Sequence, residues 1–160
     1  MKRLLSLLLL FLPLTFAQTQ EATSQEATPM AEGLVVRASP HTVAETQARL
    51  ETALAENGFT VVAIVDHAQN AAEVGLELSP TRVVIFGNPE VGTALMQSAQ
   101  TIGIDLPQKM LLWEDGDGRV FIAYNDPGHL ADRHGLSGMD EMLESIRGAL
   151  ENLAEAASAP

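Results

Sequence analysis

Lys109-Met110-Leu111-Leu112-Trp113-Glu114, then Asp115-Gly116-Asp117-Gly118, then Val120-Phe121-Ile122-Ala123-Tyr124 after Arg119: this stretch decides the fold. Two apolar runs rich in strand-forming residues flank a cluster of turn residues, the pattern of a β-hairpin. A turn this short forces the two strands to run antiparallel.

Upstream, Arg82 to Phe86 (RVVIF) reads as a strand covered on both faces. Asn88-Pro89-Glu90 then opens a helix: Asn caps, Pro suits the first turn and Glu complements the dipole. Val91, Leu95, Ser98 and Ile102 continue it, and Gly103 ends it. Thr60 to Val65 is a β-branched strand, and Asp66 caps a short helix with Ala71, Val74 and Leu78 on its inner side. Thr42 and Glu45 form a capping box for a helix from about Val43 to Glu56, stopped at Asn57-Gly58. Leu34 to Val36 is a first short strand. Downstream, Asp126-Pro127 opens a short helix closed by Gly135, and Ser137 begins the last one. Met139, Met142, Leu143, Ile146, Leu150 and Leu153 form its apolar stripe.

The resulting order is β-α-β-(short α)-β-α-β-β-α-α. It predicts an α+β fold, a compact two-layer domain with a mainly antiparallel sheet of about five strands and helices packed on one face. A doubly wound parallel sheet is the alternative, disfavoured because no glycine-rich phosphate loop follows an early strand.

The ends have a different character. Lys2 and Arg3 precede an apolar run from Leu4 to Phe16, and Ala17 follows with Thr15 two positions before it. This is the pattern of a secretory signal peptide over 1–17, cleaved between Ala17 and Gln18. Residues 18–32, QTQEATSQEATPMAE, read as a disordered linker, and 154–160 as a disordered tail around a single domain at 33–153. The product is expected to be exported, periplasmic in a diderm host and otherwise secreted, with no stable membrane anchor after cleavage.

Charge narrows the partners. Nine Lys+Arg against 21 Asp+Glu give −12, and removing Lys2 and Arg3 makes the chain more acidic still. Nucleic acid is excluded as a partner, because phosphates need a clustered cationic surface. The absence of cysteine removes thiolate metal sites, disulfides and Cys nucleophiles.

Four blocks of sequence resemble a known family. The first is Val65-Asp66-His67-Ala68 with Ala71 to Leu78 and Pro80-Thr81-Arg82. The second is Ile85 to Pro89 with Gly92-Thr93 and Leu95-Met96. The third is Ile104 to Pro107, Lys109, Leu112 to Asp115 and Gly118. The fourth is Tyr124 to Pro127, Leu130 and Arg133-His134-Gly135. In this order and spacing they resemble the bacterial and archaeal family called domain of unknown function 302, across about Val65 to Leu136. The resemblance implies a compact α+β fold with a curved, mainly antiparallel sheet. It implies no activity, substrate or cofactor.

The candidate ligand-binding residues are Asp66, His67, Trp113, Tyr124, Asn125, Asp126 and His129. His67 and the pair Asn125-Asp126 each follow a strand, where sites tend to be built. If the two strand ends are neighbours, His67, Asp126 and His129 form a metal site of imidazole and carboxylate ligands. The competing explanation is that Asp66 and Asp126 simply cap helices. Trp113 and Tyr124, the only Trp and Tyr, floor a pocket if they face the same side of the hairpin. Asp115 to Gly118 lacks the Asp/Asn and Gly that a calcium loop needs at its fifth and sixth positions. No serine sits in a nucleophile elbow, and no cofactor is indicated.

The leading reading is a non-enzymatic, exported binding or accessory domain for a small molecule or an exported protein. The alternatives are a metal-dependent protein or enzyme using His67 and Asp126, and a homo-oligomer whose sheet or last helix is the interface.

Overall fold

The computed structural model describes residues 31–160. The expected leader, its cleavage point at Ala17-Gln18 and nearly all of the linker lie outside them. In chain order the elements are β1 (Leu34–Ser39), α1 (Val43–Glu56), β2 (Thr60–Asp66), α2 (His67–Glu73), β3 (Thr81–Gly87), α3 (Pro89–Ser98), a 3-10 turn (Gln100–Ile104), β4 (Gln108–Glu114), β5 (Val120–Asn125), α4 (Pro127–His134) and α5 (Asp140–Ser158).

The strands form one sheet in the order β1-β5-β4-β3-β2, with every neighbouring pair antiparallel. The hairpin sits inside it. Glu114 pairs with Val120, and Asp115 closes the turn by accepting from the Asp117 and Arg119 amides through Oδ1. β1 inserts beside β5, which makes β1 and β2 the two edges.

Alternation along the strands gives the sheet two faces. Val84, Phe86, Met110, Leu112, Val120, Ile122 and Tyr124 face the helices and are buried with Leu50 and Leu54 of α1 and Leu150 and Leu153 of α5. A second cluster, Leu95, Ile102 and Leu130, ties α3, the 3-10 turn and α4 to Met142 and Leu143 of α5. Ile146 packs on both clusters, so the stripe on α5 joins the two parts of the core.

The caps form where short polar side chains satisfy free amides at a helix start. Thr42 and Glu45 make the reciprocal capping box. Asp66 accepts from Gln69 N at 2.9 Å, Asn88 from Glu90 N at 2.9 Å, and Asp126 from His129 N at 3.0 Å.

Three local expectations are corrected. Residues 154–158 are not a loose tail but the end of α5, with Ala154, Ala157 and Ser158 buried. The small side chains that made them look featureless let the helix pack closely, and α1 and α5 lie against each other. The last helix begins at Asp140 rather than Ser137, because Gly138 takes φ +71°. α2 buries none of its residues, and Val74 is 71% exposed instead of packing inward. The helix is only seven residues long and lies beside β3 without burying a side chain; Gly75 follows it at φ +76°.

Candidate functional site

The expected site residues fall into three separate places. Asp66 and His67 lie at the end of edge strand β2. Asn125, Asp126 and His129 lie at the end of β5. β2 and β5 are three strand spacings apart, about 14 Å, and they run in opposite directions, so their ends point to opposite ends of the sheet. His67 therefore does not meet Asp126. Among the described residues no three His, Asp or Glu side chains converge as a metal site requires.

Asp66 instead faces Arg82, whose Nε donates to its Oδ2 at 2.8 Å and whose Nη1 donates to Gln47 of α1. The Gln69 amide, followed by Arg82, holds the Asp66 carboxyl below the usual range despite some burial. At the other end of the sheet, Asp126 receives Arg147 Nε at 3.4 Å. Its amide donates to Gly33 O at 2.8 Å. The His129 ring lies over Gly33 so closely that a methyl on that glycine would sit 2.3 Å from it. Arg147, unnoticed in the sequence, is the residue that connects α5 to this corner.

Trp113 and Tyr124 face opposite sides. Tyr124 pairs with Met110 on the helix face, and Trp113 pairs with Phe121 on the open face, where the two rings stack at 5.2 Å. They cannot floor one pocket. Burial pushes the Tyr124 hydroxyl up from its ordinary value.

A cleft of about 480 Å³ lies on the helix side, at the end of the sheet where β2 begins. Its walls are Phe59 and Val62 of the β2 edge, Val91, Leu95 and Met96 of α3, Leu106 before β4, and Ile146 and Leu150 of α5. Gly87, Gly92 and Gly103 line it without side chains. The ladder between β2 and β3 skips Val62, an irregularity that leaves this valine lining the cleft while 61% exposed. None of the lining residues is charged, although the chain carries 30 ionisable Asp, Glu, Lys and Arg side chains. Asn88, Gln108, Thr60 and Ser145 supply polar groups. Such a cavity is of ordinary ligand size, and it can hold an apolar molecule oriented by a few hydrogen bonds. A signal for it exists in the sequence: Val91 to Ile104 contains no charged residue in an acidic chain.

The family "domain of unknown function DUF302" matches residues 35–153. The chain belongs to this family. A DUF302 fold is also what the solved structures show: the chain shares a TM-score of 0.72 at 21% identity with the crystal structure of an uncharacterized conserved DUF302 protein from Bacillus stearothermophilus, covering 79% of this chain and 99% of that one. Among curated proteins, the chain is 51% identical over 104 residues to "Fluoride-specific ion channel FluC 1" of Brucella suis and to "Fluoride-specific ion channel FluC 2" of Brucella melitensis. The match covers 65% of this DUF302 chain and 41% and 38% of those proteins, so the chain spans about two fifths of their length. Among the described residues no helix is long and apolar enough to cross a membrane.

Proposed function

We propose that this protein is an exported, non-enzymatic binding domain that takes an uncharged, largely apolar small molecule into the cleft between α3, α5 and the start of β2. The observation that carries this reading is the chemistry of the walls: apolar residues and glycines, a few polar groups, and no charge in a chain of −12. A carboxylate or phosphate ligand would meet no cation there, and the acidic surface around it repels anions. The apolar lining favours burial of hydrocarbon at ~25 cal/mol per Å². Asn88 and Gln108 supply hydrogen bonds that fix one orientation.

Nile red, a neutral lipophile, tests it. Its fluorescence should rise on titration with the purified protein and saturate at one equivalent. Gly92→Leu, which fills the cleft, and Val62→Asp, which charges its exposed wall, should each weaken binding at least tenfold with unchanged circular dichroism. Absence of saturable binding, or binding indifferent to both variants, would refute the reading.

A second reading is favoured by the Brucella relatives, in which the matching segment is part of a protein named a fluoride-specific ion channel. Here the domain is an accessory that acts beside a membrane channel. Cross-linking in the native host followed by mass spectrometry checks it; recovery of no membrane protein sinks it.

A further inference from the structure

The helix-free side of the sheet is apolar, and among the described residues the Arg119 guanidinium lies against it, 5.8 Å over the Phe121 ring. Val83 and Ile85 of β3, Leu111 and Trp113 of β4 and Phe121 of β5 lie on it by register, and none packs against either core cluster among the described residues. Lys109 stands on the same side, opposite Ile85. Its Nζ donates only to the carbonyls of Asp105 (2.7 Å) and Pro107 (3.1 Å), with no carboxylate in ion-pair range among the described residues. No acidic residue of β3, β4 or β5 lies on this side: Glu114 falls on the helix side by alternation.

The chain also carries an exposed arm, α2 and the segment to Pro80. Every residue from Ala72 to Pro80 is exposed. Val74, Leu76 and Leu78 are 71%, 66% and 50% exposed, an unusual cost for large aliphatic side chains in water. Glu73 precedes them and Glu77 stands between Leu76 and Leu78, neither in an ion pair among the described residues. The arm is therefore apolar with negative charge; the open sheet is apolar, with Lys109 at one end free of any carboxylate among the described residues and Arg119 at the other end paired with Asp115 and Asp117.

We infer that these two surfaces bind each other between two copies of the chain, in a symmetric dimer in which each arm lies across the partner's open sheet and Glu73 or Glu77 meets Lys109. Two-fold symmetry uses both surfaces of both copies and leaves neither exposed. The size agrees. Five strands at about 4.8 Å spacing and six residues at about 3.3 Å give a face of roughly 450–500 Å² in projection. With the arm added, each copy offers close to the ~800 Å² per partner of a standard stable interface. A lipid surface fits less well, because two glutamates flank the apolar residues and anionic headgroups repel them.

Sedimentation velocity of the purified protein at micromolar concentration tests the inference. The expected mass is twice that of the monomer. Leu76→Asp with Leu78→Asp should yield monomers with an unchanged circular dichroism spectrum, since both side chains are exposed. Lys109→Glu should weaken the dimer at least tenfold, and Glu73→Lys with Glu77→Lys in the same chain should restore it. A monomeric wild type would overturn the inference. So would a dimer indifferent to the arm substitutions, or a monomer that sediments with phosphatidylcholine vesicles through Leu76 and Leu78. The interface does not involve the cleft, so either reading can fail without the other.

Discussion

His134 Nε2 lies 2.7 Å from Asp105 Oδ2, which fastens the last turn of α4 to the residue that ends the 3-10 turn. An ionised carboxylate only accepts, so the network assigns the proton to Nε2 and leaves Nδ1 to accept from the Thr101 hydroxyl at 3.0 Å. Arg133 reaches the same carboxylate at 3.2 Å. The chain of hydroxyl, imidazole and carboxylate ties the 3-10 turn to α4, and neither Thr101 nor His134 lines the cleft. The ring is only 6% exposed, so removing it leaves a cavity and takes one of two partners from the Asp105 carboxylate, which keeps Arg133. His134→Ala should lower stability by about 1–3 kcal/mol, and Asp105→Ala by a similar amount. The double variant should lose less than the sum, because both break the same contact. Urea midpoints measure this; strict additivity would show that the two groups are energetically independent.

Asp126 sets a pH dependence. Burial opposes its charge, but the His129 amide and the Arg147 guanidinium outweigh it and hold the carboxyl below its ordinary value. A carboxyl depressed in the folded state stabilises the protein above its unfolded pKa of about 3.9 and loses that contribution as pH falls through the folded value. Asp126→Asn keeps an N-cap but not the charge. At pH 6 the variant should unfold at lower urea than the wild type, and the gap should close as the pH is taken down to about 2. A gap that stays constant with pH would mean that the ionised form is not what stabilises this corner.

The hairpin was legible because its turn is local, and a turn's residues carry its geometry. The caps at Thr42, Asp66, Asn88 and Asp126 were legible for the same reason. What depends on register was not. Glu114 pairs with Val120, which places Trp113 opposite Phe121 and Tyr124 opposite Met110. A one-residue slip would have put Trp113 and Tyr124 on one face, because side chains alternate with a period of two. Strand order was equally hidden. Nothing near His67 records that two strands come between β2 and β5. The open cleft arises from four segments spread from Phe59 to Leu150, and only its lack of charge leaves a trace in the sequence.

The chain's last residues hold the fold together. Ala159 O accepts from His41 Nε2 at 2.7 Å and from Arg49 Nη2 at 2.8 Å, which binds the end of α5 to the start and middle of α1. Ser158 Oγ donates to Ala154 O, and Ala157 is fully buried. A chain ending at Leu153 loses these contacts and exposes the α1 surface beneath them. Removing two buried alanines, a buried serine and the two hydrogen bonds to Ala159 O should cost roughly 2–4 kcal/mol and lower Tm by several degrees. Differential scanning calorimetry of the truncated chain checks it; an unchanged Tm would show that the final turn of α5 contributes nothing. Ala157→Leu at the same place should also destabilise, since overpacking a closed contact costs about 1–3 kcal/mol.

Two helical glycines should respond to alanine with opposite signs. Gly92 sits inside α3 against the cleft, and a methyl there would meet only Leu106 Cδ1 at 3.9 Å, an ordinary contact. Glycine costs a helix interior about 0.5–1 kcal/mol relative to alanine, so Gly92→Ala should raise stability by up to that amount while leaving the cleft open. Gly128 lies in the first turn of α4, where a methyl would sit 2.9 Å from both Arg147 Nη2 and Asp126 Oδ1. Relieving that contact means moving either the cap or its guanidinium partner. Gly128→Ala should therefore lose about 0.5–2 kcal/mol, the range for losing an N-cap. Should both variants shift the urea midpoint in the same direction, backbone propensity rather than local contact would govern these sites, and the Asp126–Arg147 geometry would not be the constraint that keeps residue 128 small.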